Sequence, residues 1–467
     1  MAFERVCGRS RGTGSLLLAL AFAAAAAVPD ARANGDPFSG IAQTGGAGIG
    51  AFVRAERSPY RGAGTRYDFL PMYLYEGRHF YFHSHSVGAH FGDLGKGPRF
   101  DVFLRRRFEG TPYNVFPAAL AGMARREPGI DLGASAELAG SWGSAYVEGL
   151  HDIAGTSHGT EVKVGYRYPF RHGRLWVRPY ASLALRNTQL NDYYYGVRPD
   201  EATPDRPAYV SHAGIVPEVG ILAAYSITDR WRLFAGFAAS RWPANVADSP
   251  VVDNRAMRQI TAGLLYDVSP DHEEWPDGPP LIVRAYNGDS TDCNVLQVAE
   301  LRCTTTHTRD RTGVFGFELG RPFLKRINGW PLDIAGFIGV QRHREEGFQP
   351  DFWSIRGYAK AYFYGFPWDS HVRTRIGLGL GLSYAQKIPL MEQRDLAERG
   401  RNTSKVLQTF DPTMDVSIGD LLGSRRWKET YVGLGVSHRS GIFGSSQLLG
   451  NVNGGSNYIY TYLETTL

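Results

Sequence analysis

Apolar and polar residues alternate along many short segments of this chain. In residues 375–383 (RIGLGLGLS), one isoleucine and three leucines share one parity, whereas glycine and serine take the other. Residues 332–341 and 231–239 repeat the pattern. Successive side chains of a β-strand point to opposite faces, so this period predicts strands with one apolar face and one polar or open face. Segments of about 9 to 11 such residues are long enough to cross a bilayer as strands.

The composition favours a membrane barrel over other fold classes. The 467 residues include 56 Gly, 25 Tyr, 25 Phe and 9 Trp. After residue 33 no apolar run approaches the roughly 18 residues of a membrane helix, and strands cross a bilayer only as closed rings. We therefore predict an outer-membrane β-barrel, with a soluble secreted β-sandwich as the alternative. The net charge of +5 is too weak to suggest a nucleic-acid partner.

The N-terminal segment predicts export. An apolar run at residues 16–28 follows a segment with three arginines and precedes the small-residue site Ala31-Arg32-Ala33. This order of features is typical of a secretory signal peptide, here residues 1–33. The predicted destination of the remaining chain is the cell outer membrane.

Residues 269–280 (SPDHEEWPDGPP) interrupt the alternation near the middle of the chain. Their acidic residues and prolines cannot pair into a sheet, so we interpret them as a linker. Beyond the linker the pattern predicts eight strands, near 281–288, 312–320, 332–341, 354–364, 371–383, 412–420, 429–438 and 457–466. Before it, eleven strands are predicted, near 44–54, 66–75, 79–87, 99–107, 131–140, 143–151, 160–168, 174–186, 214–226, 230–240 and 258–268, and an even count requires one more.

The fold prediction is therefore all-β, with two tandem antiparallel transmembrane β-barrels. Residues 34–268 would form a barrel of 10–12 strands, and residues 281–467 a barrel of 8 strands, the smallest usual closed ring. The alternative is one large barrel of about 20 strands. In the second half, the connections that follow the odd-numbered strands are long and the others short, which places the long ones outside the cell and both ends of this barrel in the periplasm.

The candidate chemistry lies at the outer end of the seventh strand of the second half. His438 and Ser440 share the parity of the apolar residues in 432–436, so both are predicted to face lipid at the outer rim. A histidine base beside a hydroxyl is the arrangement that activates a serine nucleophile. The alternative is a polar rim that simply ends the strand.

A third group would have to orient the histidine. Asn457 begins the next strand and is close enough to hold a ring nitrogen, which makes it the candidate for the orienting role. Glu464 lies roughly 23 Å farther down the same strand and cannot reach. Asp411 is at a similar height on the neighbouring strand, but its parity points inward.

Residues 34–268 resemble the MipA/OmpV family of outer-membrane proteins. The matching stretches are DFLPMYLYEGRHFY (68–81), GYRYPF (165–170), RPYASLALRNTQLNDYYYGV (178–197) and ADSPVV (247–252). The resemblance implies a barrel that docks periplasmic murein-modifying enzymes such as a murein lytic transglycosylase, and it brings no catalytic residue. The aromatic run Tyr193 to Tyr195 is interpreted as part of an interfacial girdle.

Residues 281–467 resemble lipid A deacylases of the PagL type, eight-stranded barrels with a His-x-Ser pair facing the outer leaflet. His438-Arg439-Ser440 matches the base and nucleophile, and NVNGGSN (451–457) resembles the turn that follows. The resemblance implies ester hydrolysis in lipopolysaccharide, with outer-membrane lipid as partner. Two departures stand out, because Gly441 replaces the family's asparagine and a carboxylate for the histidine is missing.

The remaining cysteines and histidines suggest structural roles. In an oxidising compartment, Cys293 and Cys303 are expected to form a disulfide rather than a metal site. His79, His83, His85 and His90 cluster near one strand, but His83 and His85 share a face with no nearby carboxylate, so lumen or rim histidines are preferred over a metal site. No metal ion or other cofactor is expected.

Overall fold

A computed structural model describes residues 41, 46–77, 79–92, 97–112, 116–268, 278–300, 302–306 and 310–467. These residues form two closed antiparallel β-barrels with few helices. The predicted signal peptide and residues 269–277 of the predicted linker lie outside the described residues. In the part of the chain that is described, no helix is long and apolar enough to cross a membrane.

The first barrel is a ring of twelve strands with one short extra strand. Its strands are β1 (Gly46–Arg57), β2 (Thr65–Glu76), β3 (Phe80–His83), β4 (Ser86–Phe91), β5 (Arg99–Arg106), β6 (Ile130–Gly140), β7 (Gly143–Asp152), β8 (Thr160–Arg167), β9 (Phe170–His172), β10 (Leu175–Arg186), β11 (Gly214–Ser226), β12 (Trp231–Arg241) and β13 (Ala256–Asp267). Strand β13 pairs with β1 and closes the ring. The extra strand is β9, which pairs with β10 beyond the end of β8.

The second barrel is a ring of eight strands. They are β14 (Ile282–Ser290), β15 (Gly313–Leu324), β16 (Leu332–Arg344), β17 (Phe352–Phe363), β18 (Thr374–Ala385), β19 (Val406–Ser417), β20 (Thr430–Ser440) and β21 (Gly455–Thr466). Pairing of β14 with β21 closes it. The α-helices of the described residues lie in connections: α1 (Thr188–Tyr195), α2 (Ala244–Ala247), α3 (Val295–Ala299), α4 (Leu390–Glu398) and α5 (Ile418–Leu422).

The two-barrel prediction is confirmed, and the single-barrel alternative is wrong because each half closes on itself. All eight strands of the second half exist, although the strand predicted near 412–420 is Val406–Ser417. The strand missing from the count of the first half is β4. Residues 79–87 were predicted as one strand, but the chain reverses at Ser84–His85, where His83 pairs with Ser86 and the buried positions change from odd to even numbers.

The lumen of the second barrel is filled by charged and aromatic side chains. Arg284 donates hydrogen bonds to Glu318 and to Asp411, at 3.3 and 3.1 Å. Lys360 Nζ lies 2.7 Å from Asp411, and Arg356 also pairs with Glu318. All of these groups are buried. The interior of this barrel is therefore a packed polar core, as the small ring requires.

The aromatic run at Tyr193 to Tyr195 is not an interfacial girdle. It belongs to α1, and Tyr194 and Tyr195 are fully buried in a cluster with Tyr60 and Trp242. Tyr60 donates a hydrogen bond to the backbone oxygen of Tyr194 at 2.8 Å. The prediction failed because the long outer connection folds back as a helix and buries rings that a strand would have turned toward lipid.

The two barrels touch through their outer walls and outer loops. Strand β3 pairs with β2 only at Leu74–Glu76, which leaves a gap, here called the window, between the outer half of β2 and the end of β5. A loop of the second barrel enters the window: Phe69 N donates to Ser445 O at 2.9 Å, and Leu448 packs among the lumen residues of the first barrel. At the opposite end, the rings of Tyr75 and Phe323 are 4.5 Å apart.

Candidate functional site

The candidate site lies on the outward wall of β20, near its outer end. Val432 and Leu434 of this strand are exposed, Leu434 by 57%, and His438 and Ser440 continue the same face. The alternate residues, Ser437 and Arg439, are buried in the lumen. The two candidate side chains therefore face away from the lumen, at the end of a stripe that meets lipid in a membrane barrel.

His438 and Asn457 are directly opposite each other in the pairing of β20 with β21. His438 Nδ1 and Asn457 Oδ1 are 2.6 Å apart. The other end of the same amide is also engaged, because Asn457 Nδ2 donates to the backbone oxygen of Cys293 at 3.0 Å. A carbonyl oxygen can only accept, so the Nδ2 group faces Cys293 and the Oδ1 atom faces the ring.

This amide orientation decides which ring nitrogen carries the proton. An oxygen acceptor at Nδ1 requires Nδ1–H, and the neutral imidazole then keeps its lone pair on Nε2. His438 is thus held in the tautomer that a general base needs. The sequence predicted that Asn457 lies beside His438. The hydrogen bond from Asn457 to the Cys293 backbone oxygen was not predicted, because the only prediction for Cys293 was its disulfide.

Ser440 is the second member of the candidate pair, and in the described residues its hydroxyl is not hydrogen-bonded to His438. The two residues are separated by about 7 Å along the strand. Ser440 is half-buried and lies opposite Gly455 on β21 and Gln408 on β19. A contact between Ser440 Oγ and His438 Nε2 requires both side chains to turn toward each other along the wall.

Arg439, between the two candidates, anchors the outer end of β20 from the lumen side. Its guanidinium lies 2.5 Å from Glu392 of α4 and donates to the backbone oxygens of Ser404 and Lys405. Burial raises the pKa of Glu392, and the charge of Arg439 opposes this rise. This anchor was not predicted, because α4 approaches β20 from a distant part of the chain.

The backbone after Ser440 is strained and offers amide groups. Ile442, Phe443 and Gly444 all have positive φ, of 55°, 55° and 71°. A β-branched residue such as isoleucine pays a steric cost in this region. No hydrogen bond within the described chain uses the N–H of Ile442 or Phe443. These amides are therefore candidate donors to an oxyanion formed near Ser440.

Gly441 has a packing reason to lack a side chain. A Cβ atom there would lie 2.4 Å from Val452 O, the backbone oxygen of the returning arm of the loop. The asparagine expected at this position in deacylases of the PagL type would require the loop to open. The loop thus closes at the position where deacylases of the PagL type carry a polar side chain.

The first outer loop of the second barrel covers part of the site. Cys293 and Cys303 form a disulfide, as predicted. Cys293 and Val298 of this loop pack on Val436, which is only 5% exposed although it lies on the lipid-facing stripe. Leu296 of the same loop is exposed. The loop and its helix α3 therefore form one wall beside His438.

Two of the clustered histidines of the first barrel have carboxylate partners, and for His83 this contradicts the prediction. His83 Nε2 lies 2.7 Å from Glu76, and His90 Nδ1 lies 2.6 Å from Asp101. The acids come from neighbouring strands, a relation that the sequence alone does not display. The described residues contain no group of histidine, cysteine or acidic side chains arranged to hold a metal ion.

Comparison with known proteins assigns the first barrel. The family model described as "MltA-interacting protein MipA" matches residues 49–268. Outer membrane protein OmpV of Vibrio cholerae is 29% identical over 177 residues, which are 38% of this chain and 68% of the relative. The putative outer membrane protein YiaT of Escherichia coli K12 is 24% identical over 231 residues, 49% of this chain and 94% of the relative.

A third relative carries a functional name. The MltA-interacting protein of Escherichia coli K12 is 27% identical over 116 residues, which are 25% of this chain and 47% of that protein. These matches and the closed antiparallel rings place the protein in the outer membrane. The first barrel of this chain belongs to the MipA/OmpV family of outer-membrane β-barrel proteins.

Proposed function

We propose that the second barrel is an ester hydrolase that acts on acylated lipid of the outer leaflet, with lipid A of lipopolysaccharide as the substrate class. The observation that carries the proposal is the contact of 2.6 Å between His438 Nδ1 and Asn457 Oδ1, beside an outward-facing Ser440. The contact orients His438 as a base, and the Ser440 hydroxyl lies near it on the wall of the barrel that meets lipid. No cofactor is required for this chemistry.

The reaction follows from the roles of the side chains. His438 Nε2 takes the proton of Ser440 as Oγ attacks the ester carbonyl carbon of an acyl chain. The N–H groups of Ile442 and Phe443 stabilise the oxyanion. Collapse expels the lipid alkoxide, which takes the proton back from His438. A water molecule activated by His438 then cleaves the acyl-serine ester and releases a fatty acid.

The location favours a lipid substrate over a soluble one. The acyl chain of a membrane lipid can lie along the exposed side chains of Val432 and Leu434 and pass the loop that covers Val436, while its ester group reaches the outer rim. The geometry also explains why the catalytic pair can do without a closed pocket, because the bilayer itself excludes water from the acyl chain.

The test is release of fatty acid from lipopolysaccharide by the purified full-length protein. Ser440→Ala removes the nucleophile and should lower the rate by about 10³-fold or more. Ser437→Ala, on the same strand but facing the lumen, is the matched control and should retain the rate. Equal rates for wild type and Ser440→Ala would contradict the proposal.

A second candidate function concerns the first barrel. We propose that it docks a periplasmic murein lytic transglycosylase, supported by its similarity to the MltA-interacting protein. The turn around β9 (Phe170–His172) is exposed at the inner end of the barrel and offers a surface for such a partner. Co-purification from solubilised envelopes should recover the enzyme. Reversal of charge by Arg171→Glu should weaken binding and lower the amount of enzyme recovered. Absence of any murein enzyme from the wild-type complex would contradict docking.

A further inference from the structure

The disulfide-bonded loop of the second barrel is tied to the strand that carries Asn457. Thr291 N donates to the backbone oxygen of Asn457 at 3.0 Å, and the side chain of Asn457 donates to the backbone oxygen of Cys293. Cys293 is 1% exposed and packs on Val436, two residues before His438. The loop therefore approaches the site through backbone, side-chain and apolar contacts at once.

An asparagine needs this help more than a carboxylate would. The two ends of an amide differ, since one accepts and the other donates, and only the oxygen end leaves the lone pair of the imidazole on Nε2. If the amide turned around, its NH₂ group would face Nδ1 and favour the tautomer with the proton on Nε2. The Cys293 carbonyl prevents this by accepting from Nδ2.

A carboxylate at position 457 would meet the opposite situation. Both of its oxygens accept, so either one orients the histidine. With the loop in place, however, one oxygen would face the Cys293 carbonyl at about the distance of the present hydrogen bond, and two acceptors repel each other. Asn457 and the Cys293 carbonyl are thus complementary, and a carboxylate suits only a site without this carbonyl.

We propose that the Cys293 carbonyl, held in place by the Cys293–Cys303 disulfide, is the positioning group that sets the tautomer of His438 through Asn457. This inference rests on the proposed hydrolase function and deepens it. In this chain the orienting group is an amide that is itself oriented by a covalently closed loop.

The test measures activation of Ser440 directly, by the rate at which a fluorophosphonate probe labels the full-length protein in detergent. Ser440→Ala gives the background. Joint substitution Cys293→Ala and Cys303→Ala frees the loop and should slow labelling by at least about tenfold, because the wrong tautomer becomes accessible. Heat-modifiable migration on gels verifies that the barrel of each variant is closed.

Rescue separates positioning from general support of the fold. Asn457→Asp should slow labelling in the disulfide-bonded protein and should restore it in the variant without cysteines, since the carboxylate no longer faces a fixed carbonyl. Undiminished labelling without the disulfide would overturn the inference, and so would a slowed variant that Asn457→Asp fails to restore. If the wild type is not labelled above the Ser440→Ala background, the hydrolase proposal itself fails and the inference falls with it.

Discussion

Buried charges of the second barrel are compensated residue by residue. Asp411 is fully buried and faces Arg284 of β14 and Arg356 and Lys360 of β17. A buried ion pair is weak evidence of stabilisation in itself, but the removal of one partner leaves uncompensated charges in the interior. The single side chain of Asp411 therefore supports three cations in the lumen.

Substitution of this residue should be costly. We expect Asp411→Ala to lower the free energy of unfolding by about 3–5 kcal/mol, because the cations lose a buried partner. Unfolding in urea from detergent micelles measures the change. Glu429→Ala removes an exposed partner of Arg373 in the same barrel and should cost less than about 1 kcal/mol. Equal losses for the two variants would refute this account of the lumen.

A second residue-scale prediction concerns pH. Burial alone would raise the pKa of Glu201, but hydrogen bonds from Arg126 and from two backbone amides lower it from 4.5 to about 2. A depressed carboxyl pKa stabilises the folded state above pH 4.5, and this contribution is lost as the pH falls toward about 2. Limited proteolysis of the outer loop at 199–201 should therefore accelerate over this range.

The comparison for this prediction is Glu201→Gln. The loop of the variant should be cleaved faster than that of the wild type at pH 7, and its proteolysis rate should not change between pH 4.5 and 2. A wild-type loop whose proteolysis rate stays constant over that range would argue against the role assigned to the pair of Arg126 and Glu201.

At the scale of elements, the strands that face lipid were the ones that the sequence predicted best. Strand β18 was predicted from its alternation, because lipid on one side and a crowded lumen on the other impose a period of two on the residues. The β3–β4 hairpin was missed because its two strands are short and its reversal at Ser84–His85 contains no glycine or proline that would mark a turn. Helix α1 escaped because its tyrosines bury each other outside the membrane, where no period marks them.

The candidate site also contains residues that the sequence predicted and contacts that it did not. The positions of His438, Ser440 and Asn457 followed from alternation and pairing of adjacent strands. The Cys293 carbonyl and the Arg439–Glu392 pair did not, because they join segments far apart in the chain through backbone atoms or long side chains. Such contacts leave no local pattern in a single sequence.

The loop after Ser440 carries an element-scale prediction. Gly441→Asn introduces the residue found in deacylases of the PagL type, yet we expect it to lower the proposed hydrolysis rate, because its Cβ would meet Val452 O at 2.4 Å and displace the loop. Overpacking of this kind costs about 1–3 kcal/mol. Fatty-acid release and thermal unfolding should both decline. A rate above that of wild type would show that the loop tolerates the side chain and that the missing polar group limits catalysis.

At the scale of the whole molecule, the barrels hold together by more than the chain between them. Gln408 Nε2 donates to Tyr73 Oη at 2.7 Å, and Leu448 is 1% exposed within the window of the first barrel. The same loop begins just after Ser440, so the wall of the first barrel helps to set the backbone that follows this residue.

This coupling predicts the outcome of linker cleavage. A protease site inserted into residues 269–280 should allow cutting in detergent without separation of the barrels, because the window contacts remain. Leu448→Arg places a charge among apolar lumen residues and should make the cut barrels separate on size exclusion. Separation of the otherwise unaltered protein after cutting would contradict an interface held by the window.

The measurement that tests the hydrolase most directly is mass spectrometry of lipid A from cells that produce the full-length protein. Wild type should yield lipid A that has lost one ester-linked acyl chain, whereas Ser440→Ala, present at equal level in the outer membrane, should leave the chain in place. Identical spectra from the two strains would contradict hydrolysis at the His438–Ser440 site.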